Sequence, residues 1–322
     1  MATTAGGFAR WRAEMQLSVI IPTRDRLPTL RRTLAALAQQ RLDGVDAEVV
    51  VVDNGSADGT IATLESLADG YPLPLRPLAE SSPGAGPARN AGLTAARGDI
   101  VLFLGDDTRP ARPDLLQRHA ELHATATADP YAVLGRVGWA PELKVTPLMR
   151  WLEHGAQFAY ADMHRGPAGP EHFYTAHVSV SRALVQAAGG FDERVPFLFE
   201  DSLLGWRLFE AGLTLDYHPE LLVLHDHAVT LAGWVRRQEQ VGRAGRRVRE
   251  RHDVEERLVP RPGGWRWTAA AAIARIAGSS ASEWERWPGP VRDRLYAAAH
   301  YAAYARGYRA ATSASAARRG PG

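Results

Sequence analysis

Two adjacent carboxylates, Asp106 and Asp107, follow the apolar run at residues 100–104 after a single glycine. A buried strand that ends in acids places negative charge at the carboxyl edge of a sheet, which is where open α/β sheets bind their ligands. Two such carboxylates repel each other unless a cation lies between them, and a hard divalent cation commonly brings a phosphate with it. The pair therefore predicts a site for a metal-bound phosphate compound. A helix cap is the alternative, but capping accounts for only one of the two acids.

Three further polar groups stand where predicted strands or helices begin or end. Asp53 follows the predicted strand at 48–52, Glu200 and Asp201 open a predicted helix, and His225-Asp226-His227 comes after an apolar strand. The alternatives are a simple turn at Asp53, a helix start with favourably placed charges at Glu200 and Asp201, and ordinary polar surface at the histidines. Because the chain contains no cysteine, a metal would need oxygen or imidazole ligands, so a histidine is a natural ligand beside an aspartate.

Two common nucleotide-binding motifs are missing from the sequence. No GxGxxG follows the first predicted strand, and no GxxxxGK[ST] occurs anywhere. A Rossmann dinucleotide site and a P-loop are therefore unsupported. A nucleotide would have to be held by side chains and a metal ion.

Strand and helix patterns alternate along the first hundred residues, which predicts an α/β fold with a mostly parallel, Rossmann-like sheet sandwiched by helices. Short apolar runs predict the strands, and apolar residues at helical spacing predict the helices between them. The predicted strands cover 17–21, 48–52, 75–78 and 100–104, and the predicted helices cover 24–40, 60–68 and 88–97.

The composition changes after residue 229, which predicts a first domain at residues 1–229 and a helical C-terminal extension at 230–322. The extension carries 18 of the 38 Lys and Arg residues but only 8 of the 36 Asp and Glu residues. Its arginines and tryptophans are typical of a peripheral membrane contact. The alternative, which we favour, is that the extension packs on the first domain or forms a homodimer.

No apolar run approaches the roughly 20 residues of a membrane-spanning helix, and residues 1–15 lack the apolar centre of a signal peptide. We therefore expect a cytoplasmic protein, with attachment to the inner face of the membrane as the alternative. Nucleic-acid binding is not expected, because the sequence contains no recognised module for it.

The order of these motifs resembles glycosyltransferase family 2, the inverting nucleotide-sugar glycosyltransferases of the GT-A fold. The resemblance extends over about residues 17–243. It rests on five matching stretches, namely Ser-Val-Ile-Ile-Pro-Thr at 18–23, Val-Val-Val-Asp-Asn-Gly-Ser at 50–56, Ala-Arg-Asn-Ala-Gly at 88–92, Gly-Phe-Asp-Glu at 190–193 and Phe-Glu-Asp-Ser-Leu-Leu-Gly-Trp-Arg-Leu at 199–208.

The resemblance implies a role for each matching residue. The residues expected to bind the nucleotide-sugar are Pro22, Thr23 and Arg24 at the base and ribose, Asp53 at the base, Arg89 near the base or phosphates, and Asp106 at the ribose. Asp107 would bind Mn²⁺ or Mg²⁺, and His225 would complete that metal site or touch the diphosphate, with His227 as the alternative ligand. Asp201 would be the catalytic base.

Three residues, His177, Glu200 and Trp206, are expected on the acceptor side. The sequence departs from the family pattern at two positions. Gly105 stands where the family has the first acid of its DxD motif, so the metal shell has one carboxylate fewer. His177 stands where the family commonly has asparagine, which leaves the acceptor preference open.

The resemblance implies a hexosyltransferase that moves a sugar from a nucleoside diphosphate to a hydroxyl. UDP is the default nucleotide, with dTDP and GDP open, and the acceptor is a saccharide, a lipid-linked sugar or a small molecule. Two alternatives remain. A sugar-phosphate nucleotidyltransferase would need a glycine-rich loop after the first strand, whereas residues 22–26 contain no glycine. A non-catalytic binding or scaffold protein would not need the intact Asp107 and Glu200-Asp201.

Overall fold

A computed structural model describes residues 16–155, 159–195, 198–254, 258–276 and 284–317. The chain divides into two compact units, one formed by residues 1–143 and 163–227 and the other by residues 144–162 and 228–322. In the first unit the strands are β1 (Gln16–Thr23), β2 (Asp46–Asp53), β3 (Leu75–Ala79), β4 (Ile100–Leu104), β5 (Thr108–Pro110), β6 (Tyr131–Trp139), β7 (Gly166–Ala168), β8 (His177–Ser181) and β9 (Thr214–His225).

The helices of the first unit confirm the alternation expected from the sequence. They are α1 (Leu27–Leu37), α2 (Thr60–Ala68), α3 (Ala85–Ala95), α4 (Leu115–Thr125), α6 (Arg182–Ala187) and α7 (Glu200–Glu210), with a short 3₁₀ turn at Pro170–His172. Helix α5 (Pro147–Leu152) belongs to the second unit.

The sheet has nine strands in the order β3-β2-β1-β4-β8-β6-β9-β5, and β7 pairs with β9. Strands β1 to β4 are mutually parallel where they pair, as the sequence predicted. Their central residues, such as Val19–Ile21 and Val49–Val52, have no exposed surface. Burial on both faces is the physical reason that these strands are continuous apolar runs.

The other half of the sheet is mixed, and its strands β8 and β9 contain the candidate residues His177 and His225. β8 is antiparallel to β4, with His177 opposite Leu104. β9 is one long strand that pairs with both β5 and β6. In this register His225 lies opposite both Thr108 and Trp139. The loop after β4 and the end of β9 therefore meet.

A chain of buried imidazoles links α4 to β8. His119 Nε2 lies 2.9 Å from His177 Nε2, and both His119 Nδ1 and His123 Nε2 lie 2.8 Å from Ser179 Oγ. The His177 Nδ1 lies 3.3 Å from the Arg136 carbonyl oxygen. Neutral rings satisfy every contact, because one N–H per ring can donate along the chain while the other nitrogen accepts.

The second unit is helical: α5 is joined by α8 (Leu231–Arg251), α9 (Gly264–Ile276) and α10 (Gly289–Ala317). Its buried core consists of Leu148, Leu152, Leu231, Trp234, Trp284, Tyr296 and Ala299. Because α5 contributes two leucines to this core, residues 144–162 belong with the C-terminal helices. The first unit is thus interrupted at residues 144–162, whereas the sequence predicted a continuous first domain at 1–229.

The tryptophans of the extension have divided roles. Trp234 and Trp284 are buried in the helical core, and Trp267 packs against the rings of Tyr301 and Tyr304. In contrast, Trp265 is 75% exposed and Trp287 is 53% exposed. Within the described residues, no helix combines the length and the apolar character that a bilayer crossing demands.

Helices α8 and α10 approach each other closely at two glycines. A Cβ at Gly242 would overlap the Tyr304 carbonyl oxygen, and one at Gly307 would overlap the Glu239 carbonyl oxygen. Because both obstacles are backbone atoms, a side chain at either position forces the helices apart.

Gly242→Ala should therefore lower the free energy of unfolding by about 1–3 kcal/mol, the usual cost of overpacking a core. Urea denaturation measures it. The control is Gly263→Ala, since no atom lies within 4 Å of the Cβ position there. Equal midpoints for Gly242→Ala and the unaltered protein would contradict the close helix contact.

Protonation of the imidazole chain should make the fold acid-sensitive. Burial lowers the pKa of His123 and of His177 to about 4, and burial together with the nearby His177 lowers the pKa of His119. A histidine in the unfolded chain titrates near ~6.5. The unfolded state therefore binds more protons below that pH, so stability is complete above ~6.5 and is lost as the pH falls toward 4.

The expected loss by pH 4 is about 3 kcal/mol for each of His123 and His177, measured by urea denaturation across this range. His123→Gln should flatten the curve, because it removes one of these protonations. His164→Gln, which removes an exposed histidine, should leave the curve unchanged. Parallel curves for His123→Gln and the unaltered protein would show that the cluster does not control acid sensitivity.

Candidate active site

The candidate site begins at the carboxyl ends of β1, β2 and β4. Thr23, the last residue of β1, lies opposite Asp53, the last residue of β2. Thr23 Oγ1 donates a hydrogen bond of 2.9 Å to Asp106 Oδ2. Asp53 is buried, and its Oδ1 accepts from the Ser56 backbone N–H at 3.0 Å. Three residues that the sequence predicted for nucleotide binding therefore lie at one sheet edge, and Pro22 is half-buried just before them.

Arg26 bridges the two adjacent carboxylates. Its Nη1 lies 2.9 Å from Asp106 Oδ1 and 2.6 Å from Asp107 Oδ2. Burial alone would lower the pKa of Arg26, but the two carboxylates raise it above its ordinary value. The sequence analysis did not single out Arg26. It assigned Arg24 to the base and ribose pocket, and the exposed Arg24 side chain lies 3.7 Å from Asp25.

A left-handed residue between Arg24 and Arg26 explains why Arg26 is the one that reaches the two acids. Asp25 has φ of 52°, a conformation that aspartate tolerates better than most residues. Its backbone N–H donates to Ser56 Oγ, and its Oδ1 accepts from the Ala57 N–H. This turn is followed by α1, so Arg26, at the helix start, is the arginine that reaches the acids.

Asp107 also faces His225. The His225 Nε2 lies 3.5 Å from Asp107 Oδ2, and the Asp226 N–H donates to the Asp107 carbonyl oxygen at 2.9 Å. Burial opposes ionisation of Asp107, but His225 and Arg26 outweigh it and hold the pKa of this carboxyl below its ordinary value. Asp106 differs: burial and the Asp107 charge raise its pKa to about 6.

Asp107 and His225 provide two donors for a divalent cation. Within the residues that the structure describes, no group of three or more acidic or histidine side chains is arranged to hold a metal. Two protein ligands nevertheless suit Mg²⁺ or Mn²⁺, which commonly retain water and take further oxygens from a substrate's phosphates. The residues therefore fit a metal that is held jointly with a diphosphate.

A buried ion pair joins α3 to α7. Arg89 Nη1 lies 2.8 Å from Glu200 Oε1, and the Arg89 guanidinium lies over the Phe191 ring. Burial, then the adjacent Asp201 charge, raise the pKa of Glu200 despite Arg89. Arg89 Nε and Glu200 Oε2 are buried without a hydrogen-bond partner among the described residues. The structure thus pairs two residues that the sequence placed apart, one at the nucleotide and one at the acceptor.

Asp201 lies in the first turn of α7 after a strained backbone. Leu198 and Phe199 have φ of 64° and 72°, unusual values for bulky side chains. Asp201 Oδ1 accepts from the Ser202 N–H at 2.8 Å, and Thr175 Oγ1 lies 3.5 Å from Oδ2. The Asp201 carboxylate is therefore oriented at the N-terminal end of α7 by contacts at both of its oxygens.

The segment at residues 175–177 connects Asp201 to the acid pair. Thr175 contacts Asp201, and the next residue, Ala176, accepts through its carbonyl oxygen from the Gly105 N–H at 3.2 Å. The His177 ring that follows has no exposed surface. The role of His177 toward an acceptor therefore stays a prediction, as does that of the half-buried Trp206 on α7.

Sequence comparison identifies relatives of this chain. The profile of Glycosyl transferase family 2 matches residues 18–182. The pre-mycofactocin glycosyltransferase of Mycobacterium tuberculosis is 31% identical over 246 residues, which cover 73% of this chain and 48% of that protein. The chain thus spans about half the length of this curated relative.

Solved structures show the same fold. The mannosyltransferase PcManGT from Pyrobaculum calidifontis, in complex with GDP-Man and Mn²⁺, has a TM-score of 0.62 at 20% identity, covering 94% of this chain and 93% of its own. Residues 1–349 of Staphylococcus aureus TarS, in complex with UDP, have a TM-score of 0.54 at 17% identity, covering 93% and 92%. With the motifs, the sheet and these matches together, the chain belongs to glycosyl transferase family 2 and has its GT-A type α/β fold.

Proposed function

We propose that this protein transfers a hexosyl group from a nucleoside diphosphate to a hydroxyl acceptor, with inversion at the anomeric carbon. The observation that carries this proposal is the convergence of Asp106, Asp107 and His225 at one edge of the sheet. The names of the relatives support a glycosyltransferase. The solved neighbours bind GDP-Man with Mn²⁺ or UDP, so we take a nucleotide-sugar as the donor class.

The nucleoside would bind at the ends of β1 and β2. Thr23 and Asp106 form a polar pair there, and Asp53 adds a buried carboxylate one strand away. Carboxylates at this edge suit the N–H groups of a base and the hydroxyls of a ribose. We assign Pro22 and Arg24 to the same pocket. UDP is our first choice of nucleotide, with GDP and dTDP as alternatives.

Asp107 and His225 would hold Mn²⁺ or Mg²⁺ together with the diphosphate. When bound, such a cation neutralises negative charge on the departing diphosphate as a Lewis acid. Asp107 remains ionised for this task, since His225 and Arg26 favour its charged form. The replacement of the family's first acid by Gly105 is consistent with only two protein ligands.

Asp201 would remove the proton of the attacking hydroxyl as a general base. Its contacts with Ser202 and Thr175 orient the carboxylate. The Arg89–Glu200 pair joins α3 to the first turn of α7. It would thereby position Glu200, the residue that directly precedes Asp201. A direct attack, with the base on one side and the leaving diphosphate on the other, inverts the anomeric centre.

The acceptor would be a saccharide, a lipid-linked sugar or a small molecule that approaches α7 near Glu200 and Trp206. Peripheral membrane contact or self-association through the C-terminal helices is a separate proposal, for which Trp265 and Trp287 are exposed aromatic candidates.

A non-catalytic binding protein is the second candidate function. Release of free nucleotide from a sugar donor distinguishes the two.

Asp201→Asn should lower kcat by about 10²–10⁴-fold and leave donor affinity unchanged, because it removes a general base but not a donor contact. Nucleotide release and calorimetry with UDP and GDP measure the two properties. The matched control is Glu210→Gln, which removes an exposed carboxylate from the other end of α7. Turnover of Asp201→Asn close to that of the control would exclude Asp201 as the base.

Asp107→Asn should abolish the increase in UDP or GDP affinity that Mn²⁺ produces, because the amide is a poor ligand for a hard cation. Calorimetry with and without Mn²⁺ tests this. Asp114→Asn serves as the control, since Asp114 pairs with Arg112 near the protein surface. An unchanged effect of Mn²⁺ in Asp107→Asn would remove this residue from the metal site.

A further inference from the structure

The Arg26 guanidinium occupies the place where a cation is expected. One nitrogen, Nη1, contacts both Asp106 Oδ1 and Asp107 Oδ2. The side chains of Asp106 and Asp107 are 8% and 13% exposed, whereas 39% of the Arg26 side chain is exposed. The protein therefore neutralises its own acid pair with a charge that borders solvent.

This arrangement conflicts with simultaneous metal binding. Asp107 Oδ2 is the oxygen that Arg26 contacts at 2.6 Å and that faces the His225 Nε2 at 3.5 Å. A cation held between Asp107 and His225 would compete with Arg26 for that oxygen. The two positive charges would also repel each other at this short range in a partly buried site.

We propose that Arg26 is a displaceable internal counter-ion, which releases Asp107 to the divalent cation only when the donor's diphosphate takes over the guanidinium. The inference rests on the proposed function and adds an order of binding to it. A guanidinium matches phosphate oxygens as well as carboxylates, so the diphosphate offers Arg26 an equivalent partner.

The local backbone lets the side chain move alone. The Arg26 carbonyl oxygen accepts from the N–H groups of Thr29 and Leu30, both at 3.0 Å, and the Leu27 N–H donates to Asp58 Oδ2. The start of α1 is therefore held, and the exchange requires only rotation about side-chain bonds. Diphosphate binding and metal binding then strengthen each other by the same factor.

The test measures Mn²⁺ binding to the full chain without nucleotide, by electron paramagnetic resonance of the unbound ion. The unaltered protein should bind Mn²⁺ weakly. Arg26→Gln should bind it at least ~10-fold more tightly, a typical coupling between sites, because the acid pair loses its counter-ion. The same variant should bind UDP and GDP about 10-fold more weakly in the absence of metal, since the diphosphate loses a guanidinium.

Arg31→Gln is the matched control, because it removes the same charge from an exposed position on the same helix and should behave as the unaltered protein. Circular dichroism checks folding. If Arg26→Gln does not fold, Arg26→Lys replaces it. The lysine supplies a point charge in place of the planar fork, so Mn²⁺ affinity should rise by a smaller factor.

Mn²⁺ affinity that is the same in the Arg26 variant and the unaltered protein would overturn the inference, as would unchanged diphosphate affinity. The Arg26→Gln/Asp107→Asn double variant separates this failure from failure of the proposed function. If it still binds Mn²⁺ as tightly as Arg26→Gln, the metal site is not at Asp107 and the proposed function loses its support. If it loses Mn²⁺ while Arg26→Gln resembles the unaltered protein, only the role of Arg26 is wrong.

Discussion

The site depends on one electrostatic constraint, which is that two buried carboxylates at the end of β4 must share a positive charge. Strand burial brings the backbone of Asp106 and Asp107 to this position, but burial disfavours their ionised forms. Thr23, Arg26 and His225 together compensate, each from a different strand or helix. The ends of β1, α1 and β9 are thereby tied to one point of the sheet.

A second buried charge pair organises the other side of the site. Arg89 and Glu200 come from helices separated by more than a hundred residues. A buried ion pair of this kind adds little net stability, yet removal of one partner leaves an uncompensated charge. We interpret the pair as an orienting contact, because it fixes Glu200 in the first turn of α7, where Asp201 also lies. The left-handed residues Leu198 and Phe199 store strain at the same helix start.

The two units are built on different physical principles. In the first, central strands buried on both faces make a continuous apolar core, and the polar groups collect where the strands end. In the second, aromatic and leucine side chains from α5, α8 and α10 form the core, and close approach at Gly242 and Gly307 brings two helix backbones together.

The sequence by itself determined the alternation of strands and helices, the parallel half of the sheet, and the positions of Asp53, Asp106 and Asp107 at strand ends. These features follow from periodicity and chain order, which are local properties. Only the tertiary structure decided that Arg26 meets the two acids, that Arg89 pairs with Glu200, that His177 is buried with His119, and that residues 144–162 join the C-terminal helices. Each of these outcomes is a contact between segments distant in sequence, and such contacts depend on backbone direction and sheet register that no local pattern encodes.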